Sequence, residues 1–422
     1  MERLYQYEPK CKDLLGEFEA LKEEEHREAM RQELKEEIMR KDKELFTAAT
    51  RQCPVCSNVM HAHGKTSMVS YLAVCGEVRV QLKRLRCISC KLIVIPASVL
   101  IPANGISASL AEKMCDLASK MPYAKAAGSL AIQHNITMSA KRFWKYVQKE
   151  SDTINDVLAE ESDILFKTGV IPDMVDLQQK KPLIIGLDGG WVRGWQNTAD
   201  FEVKCATVTT GSAPGPGRKR HLTDRSGYAA VCDVEDFRQR VSALAIKSGY
   251  LTASARIFVS DGASWISKMV NDWFPEAVHI LDMFHLKQKV LTLFGINAQE
   301  QDASIRDDVL KACDAYSPKR IYSLINEWRP VDLSKDEAKE KLMVYVENNA
   351  SAISNHKLVS IHGSGWIEKG VDLMVSRRMK NRGMSWTHHG SAHIIPFAVL
   401  HYNNQWGVYW NKRKGLNKTI AS

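Results

Sequence analysis

The chain has 422 residues and a mass of 47.6 kDa, which is too long for one ordinary domain and predicts two to four. Its formal net charge of +9 and pI of about 8.9 favour a polyanionic partner. The charged N-terminus and the lack of a membrane-length apolar run argue against secreted and membrane-spanning classes, so we expect an intracellular protein. Thiols stay reduced there, and the ten cysteines indicate metal binding or buried thiols rather than disulfides.

Residues 1–48 form the first predicted region, a charged helical N-terminus. Glutamate and lysine dominate residues 10–46, and Leu14, Phe18 and Ile38 follow a roughly helical spacing. This pattern predicts a solvated helix or a short helical pair. Its heptads are too irregular to indicate a coiled coil.

Residues 49–104 carry two CxxC pairs and are predicted to form a zinc ribbon. The thiolates of two such turns can close a tetrahedral Zn²⁺ site, and the alternating residues between them predict a hairpin. His61 and His63 are alternative ligands, although surface histidines are the simpler interpretation, and four unrelated thiols is the competing view. The predicted ligands are Cys53, Cys56, Cys87 and Cys90.

Residues 105–150 are predicted to form a small helical, helix-turn-helix-like DNA-binding region. We expect three short helices, at residues 107–121, 122–134 and 138–150. The third presents Lys141, Arg142 and Lys145, which suits a helix that enters a DNA groove. A solvated helical connector is the competing interpretation. Residues 151–181, acidic and then polar, are predicted to be a linker.

From residue 182 the pattern changes to short apolar strands. Three consecutive strands are predicted, then a helix, then two further strands separated by a helical stretch. This order predicts a mixed α/β sheet with helices on its faces, and it is also the order of the RNase H-like fold. The predicted strands cover residues 182–188, 201–210, 227–232, 256–261 and 278–282, and the first helix covers 235–249.

Two acids stand at the ends of buried strands in this region. Asp188 and Asp261 are each followed by glycine and lie where open α/β sheets place their sites. Neighbouring carboxylates repel one another unless a cation intervenes, and oxygen ligands with phosphates select Mg²⁺. Two ions about 4 Å apart can activate a nucleophile and stabilise a leaving oxygen. Glu368, after a glycine-containing loop, is the candidate third acid, and Asp372 is its rival.

Two blocks of the chain resemble Mutator-like DDE transposases. Residues 258–290 look like the family's central block, with Asp261-Gly262, then Phe-Pro-x-Ala, then Asp282 three residues before His285. Residues 365–386 resemble its glutamate region. Bacterial insertion-sequence transposases of the ISKra and ISLre groups are similar, since they carry an N-terminal double-CxxC region and a first strand like IGLDGGWVRG.

The resemblance implies an RNase H-like core with a helical insertion. The core's first part is expected at residues 182–295, the insertion at 296–362, and its last part, with the C-terminal tail, at 363–422. Asp188, Asp261 and Glu368 are then the catalytic triad that holds Mg²⁺ or Mn²⁺, while Asp282 and His285 match a superfamily signature with a supporting role. Four basic residues are expected beside this site, where they could neutralise DNA phosphates: Arg377, Arg378, Lys380 and Arg382.

The implied function is a DNA transposase that binds insertion-element ends, cleaves DNA and joins the freed 3′-hydroxyl to a target. Its partner is double-stranded DNA, on which it acts as a homodimer or higher oligomer, and its expected location is the bacterial cytoplasm at the nucleoid. Alternatives are a domesticated DNA-binding protein, an RNase H-like nuclease without transposition activity, and a two-carboxylate glycosidase. The loop at residues 211–226 is either a phosphate-contacting loop or a solvated hairpin tip.

Overall fold

The chain divides into two compact units, Met1–Glu150 together with Val408–Ser422, and Ser151–Gly407. None of the helices in the described part of the chain combines the length and apolarity needed to cross a bilayer. The computed structural model describes residues 14–102, 104–171, 174, 181–214, 220–295, 300–330, 333–359, 363–380 and 383–416.

The first unit begins with one long helix on a small antiparallel sheet. Helix α1, Leu14–Ala48, is a single helix rather than a helical pair. Most of its length is exposed, as predicted, but Ile38 is buried against the sheet residues Val78 and Leu82. The three strands are adjacent in the order β1-β2-β3, with bounds β1 Met60–Ala73, β2 Gly76–Cys87 and β3 Ile93–Val94.

Three helices follow, and the third is much longer than predicted. Ser107 begins the first of them because its side chain accepts a hydrogen bond from Leu110 N. The third continues to Thr168, so the first part of the expected linker is helical. The apolar residue Ile154 is fully buried along this extension, which explains why the acidic sequence stays helical. The helices are α2 Ala108–Lys120, α3 Tyr123–His134 and α4 Ala140–Thr168.

The second unit is built on a five-stranded mixed sheet, which confirms the predicted α/β class. Its order is β10-β9-β4-β5-β8. Strands β4, β5 and β8 pair antiparallel, whereas β9 and then β10 add parallel to β4 on its other side. The strands are β4 Leu183–Val192, β5 Phe201–Thr209, β8 Ser226–Ala230, β9 Arg256–Ser260 and β10 Val278–Leu281.

Each face of this sheet is covered by helices. On one face, α5 Val234–Lys247 and α6 Ser264–Trp273 bury Phe237 and Ile266 against the strands. On the other face, Ile367 packs against Ile184, Ile257, Val259 and Ile280. The alternation of side chains along each strand therefore serves two cores.

The loop at residues 211–226 contains a two-stranded hairpin. Its strands are β6 Gly211–Pro214 and β7 Arg220–Thr223. Its tip, residues 215–219, lies outside the described residues, so contact of the tip with phosphate stays a prediction.

A helical segment with its own core follows β10. It begins at Met283, earlier than the expected insertion at residues 296–362. Its buried residues include Leu286, Phe294, Trp328 and Ile353. The helices are α7 Met283–Phe294, α8 Glu300–Asp314, α9 Pro318–Glu327, α10 Asp336–Asn348 and α11 Ala350–Ser354.

The last helices divide between the two units. A π-helical turn, Asp372–Ser376, interrupts the region that contains Glu368. Residues from Val408 onward belong to the first unit, whereas the sequence predicted a tail on the catalytic core. The physical reason is that Trp410 is fully buried and that Tyr409 and Arg413 bond Glu150 of that unit. The helices are α12 Gly365–Val371, α13 Arg377–Met379, α14 His388–Ala392, α15 Ile395–Tyr402 and α16 Trp406–Arg413.

Candidate active site and cysteine cluster

The four predicted cysteines of the first unit converge. Their sulfur atoms all lie within 4.8 Å of one another, with 3.5 Å between Cys53 and Cys90 and 3.5 Å between Cys56 and Cys87. Zn–S bonds of about 2.3 Å in a tetrahedron place sulfurs about 3.8 Å apart. The cluster can therefore hold a metal such as zinc.

Two tight turns build this cluster. Cys53 accepts a hydrogen bond from Ser57 N at 2.9 Å, and Cys87 N donates to Leu92 O at 2.9 Å. Hydrogen bonds from the backbone and side chain of Asn58 lower the pKa of Cys56 to about 6, which favours the thiolate that binds metal. His61 and His63 are not part of the group, so the cysteine-only ligand set is the one that the geometry supports.

In the second unit, Asp188 lies in the middle of β4, where the pairing of β4 with β9 ends. Burial raises the pKa of its carboxyl to about 6. The hydrogen bond from Gly189 N opposes the rise, and the negative charges of Asp261 and Asp282 add to it. That hydrogen bond is 2.7 Å long. Asp188 is thus a carboxylate held among other carboxylates, the environment that a cation would relieve.

Asp261 directly follows strand β9, beside Asp188. The parallel register pairs Leu187 with Ser260, so the next residue of each strand is an acid at the same sheet edge. The Asp261 carboxylate accepts from Ala263 N at 3.0 Å, and its carbonyl accepts from the Tyr345 hydroxyl at 2.5 Å. The two predicted aspartates therefore lie next to one another on adjacent strands. The prediction that the first strand ends at Asp188 is wrong, because the pairing of β4 with β5 continues to Val192.

Gly262 is required by this turn. Its φ is +85°, and a Cβ there would lie 2.8 Å from Leu281 Cδ1 and 2.9 Å from the Tyr345 hydroxyl. Both the backbone conformation and the close approach of Tyr345 exclude a larger residue.

Asp282, His285 and Glu368 form the adjoining part of the site. Asp282 is buried, begins α7 by accepting from Phe284 N at 2.9 Å, and accepts from the Ser364 hydroxyl at 2.5 Å. His285 Nε2 lies 3.8 Å from Asp282 Oδ2 and 3.9 Å from Glu368 Oε1. The imidazole therefore stands between two of the predicted acids.

Glu368 and Asp372 have different partners in the structure. Asp372 is engaged elsewhere, with Lys369 Nζ at 2.6 Å and Arg377 Nε at 3.1 Å. Although burial alone would raise it, the hydrogen bonds from Lys369 and Arg377 lower the pKa of Asp372. Glu368, whose side chain is 45% exposed, faces His285 instead and is the acid available to a ligand.

Sequence reasoning missed several neighbours of these acids. Glu202 on β5 approaches so closely that a Cβ on Gly189 would lie 1.9 Å from its Oε1. Burial raises the pKa of Glu202; the charge of Lys204 opposes the rise, and that of Asp261 adds to it. Tyr345 and Ser364 carried no local signal, because long-range contacts alone bring them to the site.

The basic residues near Glu368 behave differently from one another. Arg378 is 5% exposed and its guanidinium lies 4.7 Å from the Trp386 ring, so its predicted contact with DNA is not supported. Arg377 pairs with Asp372, whereas Lys380 is exposed. Arg382 lies outside the described residues. In the first unit, Lys141, Arg142 and Lys145 are all exposed on α4, and their contact with DNA stays a prediction.

The fold and site thus define a mixed α/β protein with a carboxylate-rich sheet edge and a separate metal-competent cysteine cluster. The family model described as Uncharacterised protein family (UPF0236) matches residues 102–414. The chain therefore belongs to the UPF0236 family. No curated protein matches the chain. The matched range includes every residue of the carboxylate site, and the cysteine cluster precedes it.

Proposed function

We propose that this protein is a DDE-type DNA transposase with an RNase H-like catalytic core. Support for the core comes from the strand order β10-β9-β4-β5-β8, in which three antiparallel strands are followed by two strands parallel to the first. The helical segment between β10 and α12 corresponds to the insertion that such a transposase carries before its glutamate.

The observation that carries the proposal is the convergence of acids from three distant parts of the sequence. Asp188 lies within β4 and Asp261 directly follows the adjacent parallel strand β9, and Glu368 reaches the same group through His285. Burial raises the pKa of Asp188, and the charges of Asp261 and Asp282 add to the rise. Such an arrangement is costly for a purely structural role and is typical of a cation site.

The donor set fits Mg²⁺ or Mn²⁺. Asp188, Asp261 and Glu368 offer carboxylate oxygens, which hard divalent cations prefer. When bound, such ions supply activation of a hydroxyl nucleophile and neutralisation of phosphate charge. The protein's own contribution is positional. Ser364 and Asp282 fix the start of α7, and α7 places His285 against Glu368.

DNA is the substrate that this chemistry and the basic net charge support together. We place the element ends on the N-terminal unit and the reacting phosphate at the carboxylates. Joining two element ends calls for a homodimer or higher oligomer on DNA, and the bacterial nucleoid is the location where such a protein would act.

The test is cleavage of labelled duplexes taken from the DNA that flanks the gene, in Mg²⁺ and in Mn²⁺. We expect Asp188→Asn, Asp261→Asn and Glu368→Gln each to lower the cleavage rate by at least about 100-fold, a loss of about 2.7 kcal/mol of transition-state stabilisation. The matched control is Asp372→Asn, which removes an acid one turn away and should retain cleavage.

Other outcomes assign other functions. Equal cleavage by the wild type and the three variants, or cleavage without metal, contradicts the proposed site. Cleavage of DNA without joining of the 3′-hydroxyl to a target indicates an RNase H-like nuclease. Sequence-specific binding without any cleavage indicates a domesticated DNA-binding protein.

A further inference from the structure

The segment that contains the four clustered cysteines and the β1–β2 hairpin holds most of the protein's excess positive charge. Residues 51–107 contain seven lysines and arginines and a single acid, Glu77, a formal net charge of +6 out of +9 for the whole chain. A zinc ion with four thiolates carries a charge of −2, so the segment stays at about +4 when the cluster is loaded. Long helical segments elsewhere mix both signs of charge, but this segment does not.

The hairpin's charges collect on one face. The opposite face, with Val78, Val80 and Leu82, is buried in the core that includes Ile38 of α1. Alternation along the strands turns the polar residues outward. We name the group formed by His61, His63, Lys65, Arg84 and Arg86 the hairpin basic face. His61, Lys65 and Arg86 are exposed, whereas His63 and Arg84 are half-buried.

The members of the hairpin basic face lie close enough to influence one another. His61 pairs directly with Arg86 across the two strands, and a β-bulge between Ala62 and Thr66 brings Lys65 into the same stretch. Partial burial and then the charges of Arg84, Arg86 and Lys65 lower the pKa of His63. Like charges held this close without a counter-charge destabilise the isolated protein and favour a bound polyanion.

Among the described residues, no acid lies within ion-pair distance of this group. Lys65, Arg84 and Arg86 take part in none of the ion pairs found among the described residues, whereas Arg79 at the far end pairs with Glu77 at 2.7 Å. Arginine forks and the lysine ammonium are the groups that contact phosphate oxygens.

The composition of the face discriminates between kinds of nucleic acid. Proteins that hold single strands stack bases on exposed aromatic rings. Residues 60–94 are described throughout, and their one phenylalanine, tyrosine or tryptophan is Tyr71, which is 7% exposed and faces α1. A charged face without an aromatic platform fits the regular phosphate rows of a duplex.

We propose that the hairpin basic face binds the phosphate backbone of double-stranded DNA, with Lys65, Arg84 and Arg86 as the contacting cations. This inference rests on the proposed action on DNA and assigns the docking surface to the hairpin. Because phosphate contacts carry no sequence information, the face supplies affinity and register rather than recognition of the element end.

The test measures binding of the zinc-loaded full chain to a short duplex of unrelated sequence, between about 50 and 200 mM salt. The Lys65→Gln, Arg84→Gln, Arg86→Gln variant should lower the slope of log affinity against log salt by about 2.7, since each phosphate contact contributes about 0.9. A charge-retaining variant, Arg84→Lys with Arg86→Lys, should keep the wild-type slope. The matched control, Lys22→Gln with Lys43→Gln and Lys125→Gln, changes three exposed cations of the same unit and should also keep it.

The outcomes separate this inference from the proposed function. A wild type that binds no duplex contradicts both. If the wild type binds duplex with a steep salt dependence and the triple variant has the same slope, the inference is overturned and the proposed function stands. The inference is also overturned if the triple variant loses binding to single-stranded DNA or RNA but keeps the wild-type binding to duplex. If the triple variant loses its zinc, the three single variants replace it, each with an expected slope change of about 0.9.

Discussion

Asp188 lies among other acids, and its raised pKa makes it a source of pH-dependent stability. Its ordinary value is 3.8, and burial raises its pKa in the fold to about 6. Within that window the folded protein holds more protons than the unfolded chain, so the free energy of unfolding falls as pH rises. Above about pH 6 the metal-free protein bears the full destabilisation.

We therefore expect Asp188→Asn to stabilise the metal-free protein by roughly 1–3 kcal/mol near pH 8, and by little near pH 4 where Asp188 is already protonated. Urea unfolding at the two pH values in a chelator measures the difference. An equal gain at both pH values would show that the charge of Asp188 is not the cause.

Asp372 provides the opposite control on the same unit. Its ion pairs lower its pKa, so Asp372 contributes stability that is present at neutral pH and lost as pH falls. Asp372→Asn should therefore destabilise near pH 8, the reverse of Asp188→Asn.

At the same scale, residue chemistry explains which site residues the sequence could predict. Cysteine pairs can be recognised by their spacing, and acids that follow apolar strand residues by their position. The structure brings the four cysteines together and places the two aspartates side by side. Arg378 looked like a DNA contact because its neighbours are basic. Its burial against Trp386 depends on a tertiary contact that local sequence does not reveal.

Among the elements, α12 contains Glu368 and packs directly against strands β4 and β5 of the sheet. Close approach depends on Gly370, where a Cβ would lie 2.2 Å from Thr207 Cγ2 on β5. Ile367 also lies close to Gly186 of β4: a Cβ at Gly186 would be 2.5 Å from Ile367 Cγ1. The helix thus sits at a distance from the sheet that only glycine permits.

Gly370→Ala should displace α12, destabilise the second unit by about 1–3 kcal/mol, and weaken cleavage through the shifted Glu368. Thermal unfolding and the cleavage rate measure the two effects. Gly365→Ala is the matched control, because a Cβ at that helix position meets nothing within 4 Å. Equal behaviour of the two variants would contradict the packing argument.

Element types were predictable wherever the apolar period was clear. The five strands of the second unit's sheet and α5 match their predicted positions within a few residues. The extension of α4 to Thr168 was not predicted. The acidic composition of this segment indicated a linker, and its buried side is known only from the structure. Ile154 is the residue on which that difference depends.

For the whole molecule, the main departure is the path of the chain's end. Helix α16 returns to the first unit, where Trp410 is fully buried and Tyr409 bonds Glu150 at 2.8 Å. Lys414 pairs with Glu112 on α2. The N-terminal unit is therefore completed by residues more than 250 positions away in sequence from Glu150.

Trp410→Ala should destabilise the first unit by about 3–5 kcal/mol, because it removes a large, fully buried side chain. Amide hydrogen exchange should then rise in α2 and in the part of α4 near Glu150. Val408→Ala, whose side chain is 69% exposed, is the control and should leave exchange unchanged. No increase in exchange with Trp410→Ala would show that α16 contributes little to this unit.

Sequence alone determined the mixed α/β class, the four cysteines that cluster and the two neighbouring aspartates, because each depends on local spacing or on strand periodicity. Only the tertiary structure gave Glu368 and Asp372 different partners, buried Arg378, and brought Tyr345 to Asp261 and the last helix to the first unit. Those decisions depend on contacts between residues far apart in the chain, which side-chain packing and ion pairing select and which no local pattern encodes.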